Sequence, residues 1–233
     1  MHLYCGTSGF SYKEWKGRFY PPGLAAADML AYYASRLPTV EINNTFYRLP
    51  QQSLLERWRD EVPADFRFAV KLSRRITHVK RLADCEDDAR RFFDAVHVLG
   101  DKLGAVLVQL PPQFRVDIDR LAHFLDVVPE SVPTAFEFRH ASWRNEAVLA
   151  ALARHGAAWV ETDVDGAPAP ADLPRSATWT YLRLRAPGYS AEALASWRRA
   201  CATFEHAYVY FKHEDEALGP LLAERMLSNA APG

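Results

Sequence analysis

The chain has no apolar stretch approaching the ~20 residues that a membrane-spanning helix needs, so a membrane is not an expected partner. Its first residues, Met1-His2-Leu3-Tyr4-Cys5-Gly6, lack a charged segment followed by an apolar run. No secretory signal is therefore expected, and a cytoplasmic location is. Cysteine is scarce. Cys5, Cys85 and Cys201 are far apart and form no CxxC or Cys/His spacing, which argues against zinc and against a disulfide framework. They are expected to pack as small apolar residues in a reducing compartment. Net charge is nearly absent too: 28 Lys and Arg face 29 Asp and Glu. The molecule as a whole is no electrostatic magnet for nucleic acid, and any attraction for anions must be local. The glycine-rich turn of an open, doubly wound nucleotide-binding sheet is missing, because Gly6-Thr7-Ser8-Gly9 runs into Phe10 and Tyr12 instead of completing GxGxxG. No repeat, low-complexity tract or composition shift marks a second domain.

What is present is alternation. Short apolar runs at 3–7, 39–43, 66–71, 105–110, 134–138, 158–161, 180–184 and 208–211 read as strands. Between them, 25–36, 53–62, 86–99, 119–128, 145–155, 191–204 and 216–227 read as amphipathic helices. Ser53 with Glu56 three residues on resembles a capping box, and Gly100 and Gly156 read as helix stops. The segment 166–176 is rich in Pro and Ala and reads as a long loop. Strand-helix alternation implies a parallel sheet with right-handed crossovers. About eight strands is the number at which such a sheet closes. The expected fold is α/β: one (β/α)8 TIM-type barrel over 1–233, less regular in its last third, in keeping with a length that suits one such domain.

Each apolar run turns polar at its C-terminal end, where barrels carry their active sites. The ends are Thr7-Ser8, Glu41 to Asn43, Lys71, Gln109, Glu137 to His140, Asp163, Arg183 and Lys212-His213. A period of two puts Glu41 with Asn43, and Glu137 with Arg139, on common faces. If those faces point inward, acids and bases converge. They then either serve a ligand or pair with one another as a buried network, with Arg139 orienting Glu41 or Glu137. After the third strand come Lys71, Arg74, Arg75, His78, Lys80 and Arg81, followed by Asp84, Glu86, Asp87 and Asp88, which neutralise part of that charge. Such a run reads either as a solvated face or, beside the mouth, as an anion site. Phe10, Tyr12, Trp15, Phe19 and Tyr20 follow the first strand, Phe46 and Tyr47 the second, and Trp143 the fifth. They read either as a small core under a loop or as a platform for a sugar ring or base.

Gly6-Thr7-Ser8-Gly9-Phe10-Ser11-Tyr12 with Trp15 and Phe19-Tyr20-Pro21 resembles the opening of the YecE-like family, also called the domain of unknown function 72 family. The likeness continues through 40–47 and 68–71, Thr77-His78, Leu110-Pro111-Pro112, 136–140 and Trp143. It implies a TIM barrel and carries no defined activity. The barrel is broadly similar to the xylose-isomerase and endonuclease IV group, an analogy that points to metal or nucleic acid. Two places depart from the family pattern: Leu184-Arg185-Ala186 stands where many members have Leu-His-Gly, and Phe211-Lys212-His213 where many have Phe-Asn-Asn.

Three functions follow from these residues. The first is an enzyme acting on a small anionic, sugar-like or nucleotide-like ligand. Glu41 and Glu137 would be its general acid and base, and Lys71 and Arg139 its charge stabilisers. Thr7, Ser8, Tyr12, Trp15, Asn43, Tyr47, Arg75, His78, Gln109, His140, Trp143, Asp163 and Arg183 would contact the ligand. A pair of carboxylates also admits glycoside hydrolysis. The second is a nucleic-acid-binding protein or metal-dependent nuclease using His78, His140 and His213 with Glu41, Glu137 and Asp163. Because Lys71 and Arg139 lie among those groups, no metal and no cofactor is expected. The third is a ligand-binding barrel without catalysis.

Overall fold

Eight parallel strands close into a barrel in the order β1 to β8 in the computed structural model, which describes residues 1–163, 169–186, 188–212 and 215–228. The strands are β1 (His2–Ser8), β2 (Thr39–Ile42), β3 (Arg67–Lys71), β4 (Leu103–Gln109), β5 (Thr134–Glu137), β6 (Ala158–Thr162), β7 (Trp179–Leu184) and β8 (His206–Phe211). The closing seam pairs Tyr4 with Tyr208 and Gly6 with Tyr210. Helices α1 (Met29–Ala34), α2 (Gln52–Glu61), α3 (Glu86–Val96), α4 (Ile118–Val127), α5 (Glu146–Arg154), α6 (Ala191–Cys201) and α7 (Leu218–Ser228) lie between or after the strands. Between β6 and β7 there is no helix among the described residues, and the expected loop at 166–176 falls partly outside them.

The apolar pattern explains the two packing zones. One outward-facing cluster joins the strand backs to the helices, through Val40, Phe68, Val106, Val108, Phe136 and Leu182 among others. A second cluster fills the barrel itself: Ala69, Ala105, Leu107, Ala135, Ala158, Val160, Trp179, Tyr181, Tyr208 and Tyr210, with Tyr4 against it. The interior therefore sets small residues on β3 to β6 against large aromatics on β7 and β8. Tyr181 and Tyr210 lie 5.1 Å apart between ring centroids, and Tyr4 stacks on Tyr208 at 4.9 Å. Tyr181 reaches Glu41 with its hydroxyl and Tyr210 bonds Thr39, so the aromatics adjoin the polar groups at the strand ends. Polar side chains take the C-terminal layer.

Helix starts follow local chemistry at three places. Asp117, Asn145 and Ser190 each accept the backbone N–H three residues on, which satisfies one orphan donor per helix. The capping box expected at Ser53 is corrected. The chain turns helical at Gln52, so Ser53 already lies inside the first turn, and Gln51 caps without a side-chain bond. The helix expected over 25–36 is a 3-10 turn, Ala26–Asp28, leading into the six residues of α1. The helix expected over 86–99 is α3 followed by a 3-10 segment, His97–Lys102, broken at Gly100, whose φ of 55° suits glycine. All three cysteines are buried free thiols. Among the described residues no helix is long and apolar enough to cross a membrane.

Candidate functional site

The C-terminal layer of the barrel is organised by Arg183 on β7. Its Nε and Nη2 donate to Glu41 Oε2 and Oε1 at 2.9 Å each, and its Nη1 donates to Glu137 Oε2 at 2.6 Å. One guanidinium fork thus spans carboxylates from β2 and β5 across the barrel. Glu41 also accepts from Ser8 Oγ (2.6 Å), Asn43 Nδ2 (3.0 Å) and Tyr181 Oη (2.7 Å). Glu137 also accepts from Gln109 Nε2 (2.8 Å) and Arg139 Nε (3.1 Å). Glu41, Glu137 and Arg183 are all buried. The inward convergence expected from strand alternation is present; Asn43 shares a face with Glu41 as expected and bonds it, and of the two acids open to Arg139 it meets Glu137. Arg139 and Asn43 lie just beyond their strands and fold back to reach those partners.

These contacts decide the charge states. Burial pushes the Glu41 carboxyl up, but the charge and hydrogen bonds of Arg183, with Ser8 and Tyr181, outweigh it and hold it below the ordinary range. Burial likewise raises Glu137, while Arg183, Gln109 and Arg139 bring it down to about 2. Both are ionised at neutral pH. Among the described residues Glu41 accepts five protein hydrogen bonds and Glu137 three, which suits anchors better than proton-transfer groups.

Lys71, at the end of β3, is the opposite case. Its Nζ donates to Gln109 Oε1 at 2.8 Å and sits 4.2 Å from the centre of the Phe46 ring. Among the described residues it has no carboxylate within ion-pair distance, because Arg183 has taken both. Burial first, and then the Arg183 charge, lower Lys71 to about 8, against the pull of Glu41 and Glu137. His78 packs edge-on against the same Phe46 ring at 4.9 Å. Burial and the charges of Lys71, Arg139 and Arg74 lower it to about 4, so it is neutral at pH 7. Gln109 links the two halves of the layer. Its amide nitrogen is committed to Glu137, which turns its oxygen toward Lys71.

Several expected ligand contacts belong to the packing instead. Trp15 and Trp143 are almost fully enclosed. Trp143 donates Nε1–H to the Phe114 carbonyl and stacks on Phe138 at 4.7 Å. The platform expected of both is corrected to a small core under the loops, because each ring face is covered. Tyr12 packs against Trp15 and donates to the Ser8 carbonyl. Thr7 donates to the Gly9 carbonyl. His140 Nδ1 accepts the Ser142 N–H, and Asp163 accepts the Arg185 and Ala186 N–H groups. Tyr47 stands 80% exposed on the rim. Arg75 and Lys80 both pair with Asp88, so the acidic residues neutralise part of the basic run as expected; that run is a turn of π-helix, Arg75–Val79. His213 lies outside the described residues, and among those described no three His, Cys, Asp or Glu side chains gather as metal ligands. Sequence reasoning missed Tyr181 and the part played by Phe46. Tyr181 was legible as the residue two before Arg183 on the same strand face.

Two clefts border this layer. One of about 430 Å3 opens outboard of β2, floored by Phe10, Leu30, Ile42 and Trp58 and touching Asn43. The other, about 240 Å3, runs along the lip past β5 and β6 and is lined by Arg139, His140, Arg144 and Glu161.

A family model described as "Protein of unknown function DUF72" matches residues 4–232. The chain belongs to the DUF72 family. Curated proteins similar to this DUF72 chain include UPF0759 protein YecE of Escherichia coli (strain K12), 32% identical over 139 residues, covering 59% of this chain and 48% of that protein. UPF0759 protein YunF of Bacillus subtilis (strain 168) is 31% identical over 149 residues, covering 60% and 52%. The chain spans about half the length of the curated relatives it matches. A crystal structure of a DUF72 family protein from Thermotoga maritima superposes over 100% of both chains with a TM-score of 0.81 at 24% identity. One from Enterococcus faecalis covers 99% of this chain and 97% of its own, with a TM-score of 0.76 at 19% identity. The DUF72 fold is therefore a closed (β/α)8 barrel. A D-psicose 3-epimerase from Clostridium cellulolyticum, solved with D-tagatose, shares the fold alone, at a TM-score of 0.52 and 12% identity over 99% of this chain and 98% of that one.

Proposed function

We propose that the barrel mouth binds and acts on a small anionic or polyhydroxylated molecule. The observation that carries this reading is the charge left over once Arg183 is satisfied. Arg183 and Arg139 together balance Glu41 and Glu137, so Lys71 remains as the cation without an acid partner among the described residues at a concave, partly dry surface, with the Arg139 side chain partly exposed beside it. Fixed cations in such a place favour an anion strongly, because little water screens them. Arg139 meets the ligand from the lip, where it lines a cleft together with His140. Asn43 and His78 offer hydrogen bonds to hydroxyl groups. In this reading Glu41 and Glu137 are positioning residues that hold Arg183, Gln109 and Arg139 in place. Lys71 takes over proton transfer, since burial lowers it to about 8 and no acid among the described residues holds its proton. Single-stranded nucleic acid is the weaker alternative, because Asp88 occupies Arg75 and Lys80.

Calorimetric titration with inorganic phosphate and with glucose 6-phosphate at low salt tests this. Both are expected to bind, and Arg139→Gln is expected to weaken them roughly tenfold or more, the size of one charge-assisted hydrogen bond. Absence of binding by both probes, or equal affinity in the variant, would overturn the reading. An oligothymidylate that binds more tightly than either probe, with a steep salt dependence, would favour nucleic acid instead.

A further inference from the structure

Lys71 is set apart from the other five lysines of the chain. It is 9% exposed and lies inside the barrel, yet it has no ionic partner among the described residues. A buried ammonium without a carboxylate is an expensive arrangement. The sequence places two carboxylates in the same layer and then commits both to Arg183. What touches Nζ is a single amide oxygen and an aromatic face, and the pull of Glu41 and Glu137 is opposed by burial and by the Arg183 and Arg139 charges. That environment suits a neutral amine, which needs one acceptor for an N–H and leaves its lone pair available. Desolvation next to other cations is also how nucleophilic lysines are activated in general.

We propose that Lys71 forms a covalent imine with the carbonyl carbon of an aldehyde, ketone or 2-oxo acid that carries a negative charge. This rests on the reading above that the mouth takes a small anion, and it names the class of that anion. The neutral Nζ attacks the carbonyl carbon, forming a C–N bond and a carbinolamine. Nζ gives up its two protons, the carbonyl oxygen takes them and leaves as water, and a C=N bond remains. No electron acceptor or donor is required. The proton that the ammonium must first lose goes to water, because a His78 imidazole lowered to about 4 is too weak a base to hold it. Once the imine is protonated, Gln109 Oε1 accepts its N–H, because the bond from Gln109 Nε2 to Glu137 fixes the amide orientation. Arg139 holds the anionic group at the lip.

The full chain is incubated with pyruvate or glyceraldehyde 3-phosphate, reduced with sodium borohydride, and read by intact mass and peptide mapping. The expected result is one reduced adduct per chain, located at Lys71 and formed at least tenfold faster than at Lys13, Lys16 or Lys212. The labelling rate is expected to rise with pH through the range near 8 where Lys71 loses its proton. Lys71→Arg is expected to abolish the adduct. No adduct at Lys71 with either probe, or labelling spread evenly over the lysines, overturns the imine. If phosphate still binds in that case, the anion reading survives; if phosphate does not bind the unmodified chain, that reading fails on its own account.

Discussion

Replacing Arg183 by methionine is expected to cost roughly 3–5 kcal/mol of stability at neutral pH, because it strands two buried carboxylates. Arg183 is 5% exposed and makes three of the bonds that hold Glu41 and Glu137. Methionine fills the space and supplies no positive charge. The pH dependence separates this cause from simple loss of packing. In the native chain both carboxyls are held below their ordinary values, Glu137 at about 2. Their stabilising contribution is therefore full above the unfolded carboxylate range and lost as pH falls through the folded values. Without Arg183 burial dominates and raises both carboxyls above that range. The folded variant then binds more protons than the unfolded chain, so its stability falls as pH rises. Urea unfolding should show a gap between native and variant that is larger at about pH 7.5 than at about pH 5. A gap below about 1 kcal/mol, or one wider in acid, would mean that the carboxylates do not depend on this arginine. Lysine at the same position should recover only part of the loss, since one ammonium cannot span both acids in the bidentate manner of a guanidinium.

Gly6→Ala is expected to be of similar size for a different reason. A Cβ at Gly6 would stand 2.0 Å from the Thr39 carbonyl oxygen and 3.0 Å from Tyr33 Oη. Gly6 pairs with Thr39 in the β1–β2 ladder, so the obstruction is backbone and cannot swing aside. Tyr33 Oη joins the same seam, accepting the Thr7 N–H and donating to the Thr39 carbonyl, both at 2.9 Å. Overpacking costs about 1–3 kcal/mol, and each lost buried hydrogen bond about 1 kcal/mol more. Two residues further along the same seam, Ser8 pairs with Glu41, so the strain is delivered to the polar layer. Gly104→Ala is the comparison. Its nearest obstructions are the Tyr208 hydroxyl at 2.7 Å, which can yield, and Arg67 Cβ at 2.9 Å, far milder than a ladder carbonyl at 2.0 Å. Thermal and urea unfolding should rank Gly6→Ala as clearly the more damaging; a Gly6→Ala chain within about 1 kcal/mol of native would contradict the geometry.

Eight apolar runs with helical stretches between most of them, each turning polar at its end, were enough to read the barrel and the layer that holds Glu41, Lys71, Gln109, Glu137 and Arg183. Strand alternation also made it legible that Asn43 shares a face with Glu41 and Arg139 with Glu137, the pairs that bond. These are local properties: a period of two fixes which face a side chain takes, and the hydrophobic effect fixes which face goes inward. Partnership across the barrel is not local. Nothing in the spacing says that Arg183 meets residues 142 and 46 positions away, or that Lys71 is left without an acid. Nor does an aromatic-rich loop declare whether Trp15 and Trp143 offer a face or are sealed beneath their neighbours. Closure of the sheet brings β2, β5 and β7 within the length of one guanidinium. There the fork geometry of arginine lets it satisfy two carboxylates at once, which a lysine ammonium cannot do. The sequence by itself determined the polar mouth. Its charge distribution, with anchored acids on one side and an isolated amine on the other, was decided only when the strands closed.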